Sequence, residues 1–280
     1  MNAEKEYLGI LKDILDNGIT SGDRTGTGTI SVFGRSIRHN YKNGFPLLTT
    51  KKMFTKGIIG ELLWFLKGTE DASFLVENKI RIWNEWMQEK NGKKILPHTY
   101  GVKWRNFDGV DQITNLINGI KENPKSRRHV VSAWDPRHIE DAALAWCHIM
   151  FNLNVVLDKD KPPGTEIPND GKLGDLNIAT FQRSADFFLG VPYNIASYSF
   201  LVYMIAELTN YRPGEMYYTF GDSHIYLNHV DQVKLQLSRN PYDLPNLNIR
   251  HKDSIDDFDF DDFEIVGYNS HPTIKGVVSV

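Results

Sequence analysis

Residues 144–157 read Leu-Ala-Trp-Cys-His-Ile-Met-Phe-Asn-Leu-Asn-Val-Val-Leu. After Cys147, the residues Ile149, Phe151, Leu153, Val155 and Leu157 alternate with His148, Met150, Asn152 and Asn154. A period of two over this length predicts a β-strand with one face buried. Cys147 is the only cysteine in 280 residues, and it falls at the entry to that strand with His148 beside it. A thiolate is the strongest side-chain nucleophile near neutral pH once a cation or base lowers the thiol's pKa. A lone cysteine is more often a small buried apolar group, so the surrounding chain has to decide between the two roles.

The bulk composition narrows the class. Hydrophobic content of 41% and charged content of 24% are those of a globular protein rather than a disordered chain. No internal repeat, low-complexity tract or linker divides the chain, so residues 1–280 are expected to form one domain. A net charge of -3 supplies no basic field for a nucleic-acid partner. One cysteine excludes an intramolecular disulfide and fits a reducing compartment. No run approaches the roughly 18 apolar residues of a membrane span, and the polar N-terminus lacks a signal-peptide core. A cytoplasmic protein without a membrane partner is expected. No set of Cys and His has zinc-ligand spacing, so no metal is expected either.

On the N-terminal side of the strand, Leu8, Leu11, Ile14 and Leu15 predict an amphipathic helix stopped by Gly18. Residues 21–29, Ser-Gly-Asp-Arg-Thr-Gly-Thr-Gly-Thr, form a Gly-rich loop. Such a loop can be a plain tight turn, or can present backbone N–H groups to a phosphate; Arg24 keeps the second reading open. Residues 29–38 predict a strand, 45–52 a second extended piece, and 56–67 a helix. Glu61 lies within that almost wholly apolar helix. Burial there would raise its pKa and suit it to proton transfer, unless it pairs with Lys56 or Lys67. Trp83 and Trp86 sit three apart and would share a helical face, as core or as the floor for a flat ligand. Residues 110–120 predict a further helix. Arg127 and Arg128 then lie in a basic turn leading to a strand, where arginines can be a solvated edge or bidentate phosphate ligands.

On the C-terminal side, residues 158–172 read as a polar surface excursion. Residues 180–194 are dense in polar groups at the end of a strand-like run, and 195–208 predict a core helix. Residues 221–226, Gly-Asp-Ser-His-Ile-Tyr, are expected to begin a helix reaching about residue 239, with His224 and Tyr226 at its start. The acidic stretch 256–264 is expected to be exposed.

Taken together, these blocks resemble the folate-dependent thymidylate synthase family. The resemblance is carried by Asp-Arg-Thr-Gly-Thr-Gly-Thr (23–29), Phe-Pro-Leu-Leu-Thr-Thr-Lys (45–51), Glu-Leu-Leu-Trp-Phe-Leu-Lys-Gly (61–68), Ile-Trp-Asn-Glu-Trp (82–86) and Ser-Arg-Arg (126–128). It continues through Cys-His (147–148), Gln-Arg-Ser-Ala-Asp (182–186), Leu-Gly-Val-Pro-Tyr-Asn-Ile-Ala-Ser-Tyr (189–198) and Gly-Asp-Ser-His-Ile-Tyr (221–226). It runs from residue 23 to residue 280, interrupted only at 158–172.

The resemblance implies an α/β (α+β) fold, with a mixed β-sheet flanked by helices, the sheets of two subunits packing back to back in a homodimer. It implies dUMP as substrate and 5,10-methylenetetrahydrofolate as co-substrate. Cys147 would attack C6 of the uracil, with Arg183 near the thiol and His148 beside it. Arg24, Arg183, Ser184 and, from the partner subunit, Arg127 and Arg128 would hold the phosphate. Asn194 would pair with the uracil edge, since an amide both donates and accepts. His224 and Tyr226 would hold the 3′-hydroxyl, with Gln182 and Asp186 also on the substrate. Glu61 would relay protons, and Tyr100 would sit near the departing C5 proton. Ile82, Trp83, Trp86, Asp186, Leu189, Gly190 and Tyr193 would line the folate cleft. Lys51 would meet the glutamyl tail, and the C-terminal residues, Ser279 and Val280 among them, would close over the complex.

The chain departs from the family pattern at several points. Trp146 stands where proline usually precedes the cysteine. Ala185 and Tyr193 replace the commoner cysteine and phenylalanine. Residues 96–100, Leu-Pro-His-Thr-Tyr, differ from the usual Gly-Pro-Val-Tyr, and the tail ends Val-Val-Ser-Val rather than in Val-Ala. These departures leave open the family's hydroxymethylase branch, which adds water instead of hydride to the same C5 methylene. A further alternative is a non-catalytic nucleotide- or RNA-binding protein.

Overall fold

The computed structural model describes residues 2–279. In chain order the helices are α1 (Ala3–Asn17), α2 (Thr55–Leu66), α3 (Ser73–Glu77), α4 (Tyr100–Arg105), α5 (Gln112–Glu122), α6 (Gly190–Thr209) and α7 (Val230–Leu237). The strands are β1 (Ile19–Ser21), β2 (Thr29–Asn40), β3 (Gln88–Lys90), β4 (Lys93–Ile95), β5 (Val130–Ser132), β6 (His148–Leu157), β7 (Gly174–Asp186), β8 (Arg212–Tyr226), β9 (Asn246–Ile249) and β10 (Phe263–Val266). Six of them form one sheet in the order β1-β2-β8-β7-β6-β5. Only β7 and β8 pair in parallel; the other neighbours are antiparallel. The parallel pair needs a long crossover, and α6 supplies it. The mixed sheet flanked by helices is therefore as expected.

The helices cover one face of the sheet. Helix α1 packs on β2 and β8, α6 on β7 and β8, and α2 on α6. Beneath them the inward row Ile37, Met216, Tyr218, Ile178, Phe151 and Leu153 is buried. The opposite face carries Val130, Met150, Phe181 and Tyr217, all exposed. No helix among the described residues is long and apolar enough to cross a membrane.

Strand β6 follows the alternation after Met150 but not before it. Met150 pairs with Phe181, whereas His148 pairs with Gln182, so β6 carries one extra residue at Ile149. This β-bulge turns His148 into the face Ile149 would have occupied, and His148 is buried.

The largest correction concerns residues 221–226. They are the end of β8, not the start of a helix. Ile225 pairs with Ile30 of β2, and Ser223 pairs with both Val32 of β2 and Ala185 of β7. Pairing on both edges satisfies the backbone and overrides local preference. The helix begins only at Val230.

Residues 45–52 form no strand. They are held by Glu4, whose buried carboxylate accepts from the Thr49 and Thr50 N–H groups at 2.8 Å each and from their hydroxyls at 2.8 and 2.9 Å. The core helix expected over 195–208 starts earlier, because Gly190–Asn194 form its first turn; it ends where Asn210 takes the left-handed conformation at φ 59°. The 158–172 excursion is exposed, but its base is pinned. Lys161 bridges Asp158 and Asp175 at 2.7 Å each, and Arg212 bonds Asp158, Asp170 and Asp175. The acidic stretch is only partly exposed: Asp262 is buried, bonded to Lys252 at 3.0 Å.

Candidate active site

One end of the sheet gathers most of the singled-out side chains. The start of β6 brings Cys147, the end of β7 brings Arg183 to Asp186, and the end of β8 brings Asp222 to Tyr226. Register fixes the last two relative to each other, Ser184 opposite Asp222 and Asp186 opposite His224. Thr29, at the end of the Gly-rich loop, lies opposite Tyr226.

Arg183 is placed by the chain leading to the cysteine. Its Nε donates to the Trp146 carbonyl and its Nη2 to the Ala145 carbonyl, each at 2.8 Å, and the guanidinium lies over the Trp134 ring at 5.6 Å. These contacts leave Nη2 at 4.0 Å from the Cys147 sulfur. The Cys147 N–H donates to the Tyr100 hydroxyl at 2.7 Å.

The resting thiol is not the lowered one the sequence suggests. Burial pushes its pKa above the ordinary value, outweighing Arg183 and a hydrogen bond from Tyr100, which both pull it down. His148 does not help. Its ring stacks on Tyr100 at 3.7 Å and 2°, its Nδ1 bonds the Tyr198 hydroxyl at 2.7 Å, and burial lowers its pKa to about 3. A neutral imidazole held in this way braces Tyr100 and contributes no charge to the sulfur.

Glu61 pairs with neither Lys56 nor Lys67. Its Oε1 accepts from the Trp83 indole N–H at 2.7 Å, and burial raises its pKa to about 7, against that bond. This matches a proton relay operating near neutral pH. Trp83 and Trp86 do not share an α-helical face. Trp83 caps and Trp86 ends the tight turn Asn84–Trp86, and their rings meet edge to face at 5.7 Å and 67°. Ile82 beside them packs against the core.

Asn194 lies in the first turn of α6 with its amide oxygen close to Gly190. Its side chain makes no hydrogen bond to the described residues. Asp186 accepts from the Phe188 and Leu189 N–H groups at 2.9 and 3.0 Å, fixing the chain as it enters α6. Gln182 is buried between the Tyr218 hydroxyl and the Ser184 carbonyl, which makes it a brace for the end of β7. His224 is oriented by Asp222, with Nδ1 at 2.6 Å from Oδ1, and Tyr226 meets its ring edge-on at 5.3 Å. Tyr193 is half-buried near Glu61, and burial raises its pKa, with the Glu61 charge adding to the rise.

The Gly-rich loop spends its own donors. Asp23 accepts from the Gly28 N–H at 2.7 Å and from the Thr25 N–H at 3.0 Å, so these groups are not free for an anion. Arg24 is exposed at the loop tip and remains the loop's candidate phosphate ligand. Lys51 is buried: its ammonium donates to the Phe188 carbonyl and lies 4.0 Å from that ring, and burial lowers its pKa to about 7. It is turned inward rather than toward an open cleft. Ser279 reaches the loop, taking a hydrogen bond from the Thr27 hydroxyl at 3.2 Å, and the Val277 carbonyl meets the His229 Nε2 at 2.9 Å. Val280 lies outside the described residues. Arg127 and Arg128 are exposed in the turn before β5, and their guanidinium groups bond no described residue. They are not brought to this chain's own cluster.

Comparison with known proteins decides what the cluster belongs to. The thymidylate synthase family model matches residues 5–280. The chain belongs to the thymidylate synthase family. It is similar to a thymidylate synthase of Corynebacterium aurimucosum, 48% identical over 99% of this chain and 98% of that protein. Thymidylate synthases are methyltransferases that use 5,10-methylenetetrahydrofolate as co-substrate, and the chain takes its place among them as an enzyme.

Residue-by-residue reading missed four groups that matter here. Tyr198 holds His148, Asp222 orients His224, His229 meets the tail, and Trp134 carries Arg183. Tyr198 and Asp222 lie inside quoted family blocks, so the signal was present; His229 and Trp134 had none beyond their proximity to such blocks.

Proposed function

We propose that the protein catalyses reductive methylation of dUMP to dTMP, as a single domain of residues 1–280 acting in a homodimer in the cytoplasm. The observation that carries the reading is Arg183 anchored 4.0 Å from the Cys147 sulfur; the Asn194 amide, in the first turn of α6, makes no hydrogen bond to the described residues. The sulfur bonds to C6 of the uracil, losing its proton as the bond forms, and Arg183 steadies the developing thiolate. Carbon 5 then bonds to the methylene carbon of the folate, its proton departs toward the region of Tyr100 as the folate nitrogen leaves the methylene carbon, and hydride from the reduced pterin completes the methyl group as the sulfur leaves C6, giving dTMP, dihydrofolate and the free thiol. Glu61, which shares protons near neutral pH, serves the transfers. Arg24, Arg183 and Ser184, with Arg127 and Arg128 from the other subunit, neutralise the phosphate. His224 and Tyr226 hold the sugar, and the folate lies along Trp83 and Trp86.

Two features favour methylation over hydroxymethylation. Trp146, the departure beside the nucleophile, is fully buried with its ring near Lys103 and Trp134; it adds no bulk to the cleft. The indole that holds Glu61 is retained. Incubation with dUMP and 5,10-methylenetetrahydrofolate, followed by mass identification of the nucleotide, tests the reading. The expected product is dTMP; 5-hydroxymethyl-dUMP as main product overturns it. Cys147→Ser is expected to abolish turnover.

A further inference from the structure

We propose that His98, His138 and Asp141 form a binding site for a borderline divalent transition metal such as Zn²⁺, clamping together the two segments that carry Tyr100 and Cys147. The proposal does not depend on the reaction assigned to the protein. One ligand atom from each of the three residues lies within 4.8 Å of the others. In a tetrahedral site with bonds of ~2.0–2.1 Å, ligand atoms sit roughly 3.4 Å apart, so the three side chains are already within reach of one ion and converge on it by rotating about their own bonds.

Two further observations point to a ligand. The His138 Nδ1 is buried with no hydrogen-bond partner, and the closest carboxylate oxygen, on Asp141, stands 3.6 Å away. Buried polar atoms are nearly always satisfied, and this one, beside Asp141, is not. The His98 ring lies 4.1 Å from the His138 ring at 15°. His98 also takes the left-handed φ of 54°, with its N–H donating to Glu70 at 2.8 Å. Metal binding would turn the rings out of their stack so that both lone pairs meet the ion. Two imidazoles and a carboxylate suit Zn²⁺, Co²⁺, Ni²⁺ or Cu²⁺ rather than Mg²⁺ or Ca²⁺, and Asp141 is exposed enough for water to complete the set.

The place in the fold gives the site a consequence. His98 immediately precedes Thr99, the N-cap of α4, and Tyr100. His138 closes the short turn Pro136–His138, from which the chain runs to Cys147. A backbone hydrogen bond from Ala143 to the Pro97 carbonyl, at 3.2 Å, already ties the segments. A bound ion would stiffen the support of the Tyr100 hydroxyl under the Cys147 N–H.

The test uses full-length protein stripped with chelator and titrated with Co²⁺, whose visible absorption reports coordination. Wild type is expected to take up one Co²⁺ with a tetrahedral spectrum free of thiolate charge transfer, competed by Zn²⁺ but not by Mg²⁺. His98→Gln and His138→Gln should each weaken binding by about 100-fold or more, while leaving metal-free activity unchanged. Cys147→Ser should bind Co²⁺ as wild type does, separating the site from the lone thiol. Absence of binding up to millimolar Co²⁺, binding untouched by the two histidine variants, or binding lost with Cys147→Ser would each overturn the proposal.

Discussion

Glu61 shows how one buried side chain sets a pH dependence. Its folded pKa of about 7 lies above the ordinary 4.5, so between these values the folded state binds more protons than the unfolded. Stability must then fall as pH rises through this window. The shift corresponds to a loss on the order of 3 kcal/mol when complete. Glu61→Gln removes the titration. Its unfolding free energy, measured by urea denaturation from pH 5 to 8, is expected to stay flatter than wild type, and parallel curves would contradict the assignment. The same substitution should lower kcat by ~10²-fold or more, as loss of a general acid/base does. The thiol makes a second residue-scale prediction. Because burial raises Cys147 in the free enzyme, its alkylation by iodoacetamide should reach half-maximal rate at a higher pH than a free cysteine measured alongside. Arg183→Gln should move that midpoint higher still. A wild-type midpoint below that of the free thiol would show that the resting enzyme already holds a thiolate.

At the scale of the element, the bulge in β6 decides the active-site architecture. The alternation after Cys147 made the strand legible, because one buried face is all that period two requires. The bulge was not legible: a single extra residue at Ile149 leaves the apolar pattern after it unchanged and shifts the phase of the residues before it, His148 among them. The end of β8 failed for the opposite reason, since residues 221–226 read locally as a helix start while their partners lie far away on β2 and β7. Site residues emerged where a family block named them, but their supports did not, because Tyr198 and Trp134 meet His148 and Arg183 only through the fold. The inward turn of His148 depends on the Tyr198 hydroxyl at 2.7 Å. Tyr198→Phe should therefore cost about 1–3 kcal/mol, the range for a buried polar group left unpaired. A chevron or equilibrium denaturation curve identical to wild type would mean that the imidazole is satisfied in another way.

For the whole molecule, the decisive surface is the sheet face without helices. Val130, Met150, Phe181 and Tyr217 stand exposed on adjacent strands β5, β6, β7 and β8, a row of exposed apolar side chains across one face of the kind that marks an interface. Arg127 and Arg128 lie in the turn that enters β5, at the edge of that row, and their guanidinium groups bond none of the described residues. Back-to-back packing of two sheets would bury the row and carry the arginines toward the partner's cluster. Phe181→Glu is expected to shift sedimentation from the dimer to a species of 32.1 kDa and to abolish activity together with the dimer. Shared sites can be tested without breaking the interface. On the shared-site proposal Cys147→Ser protomers lack the nucleophile, and Arg127→Ala/Arg128→Ala protomers lack the guanidinium groups offered to the partner, so each homodimer is expected to be inactive. In a heterodimer formed after unfolding and refolding the mixture, one of the two sites combines an intact Cys147 with intact arginines. Random pairing in a two-fold dimer should therefore restore about one quarter of the wild-type activity. Recovery at that level requires the arginines to act across the interface, whereas a mixture that stays inactive after refolding confines each site to a single chain.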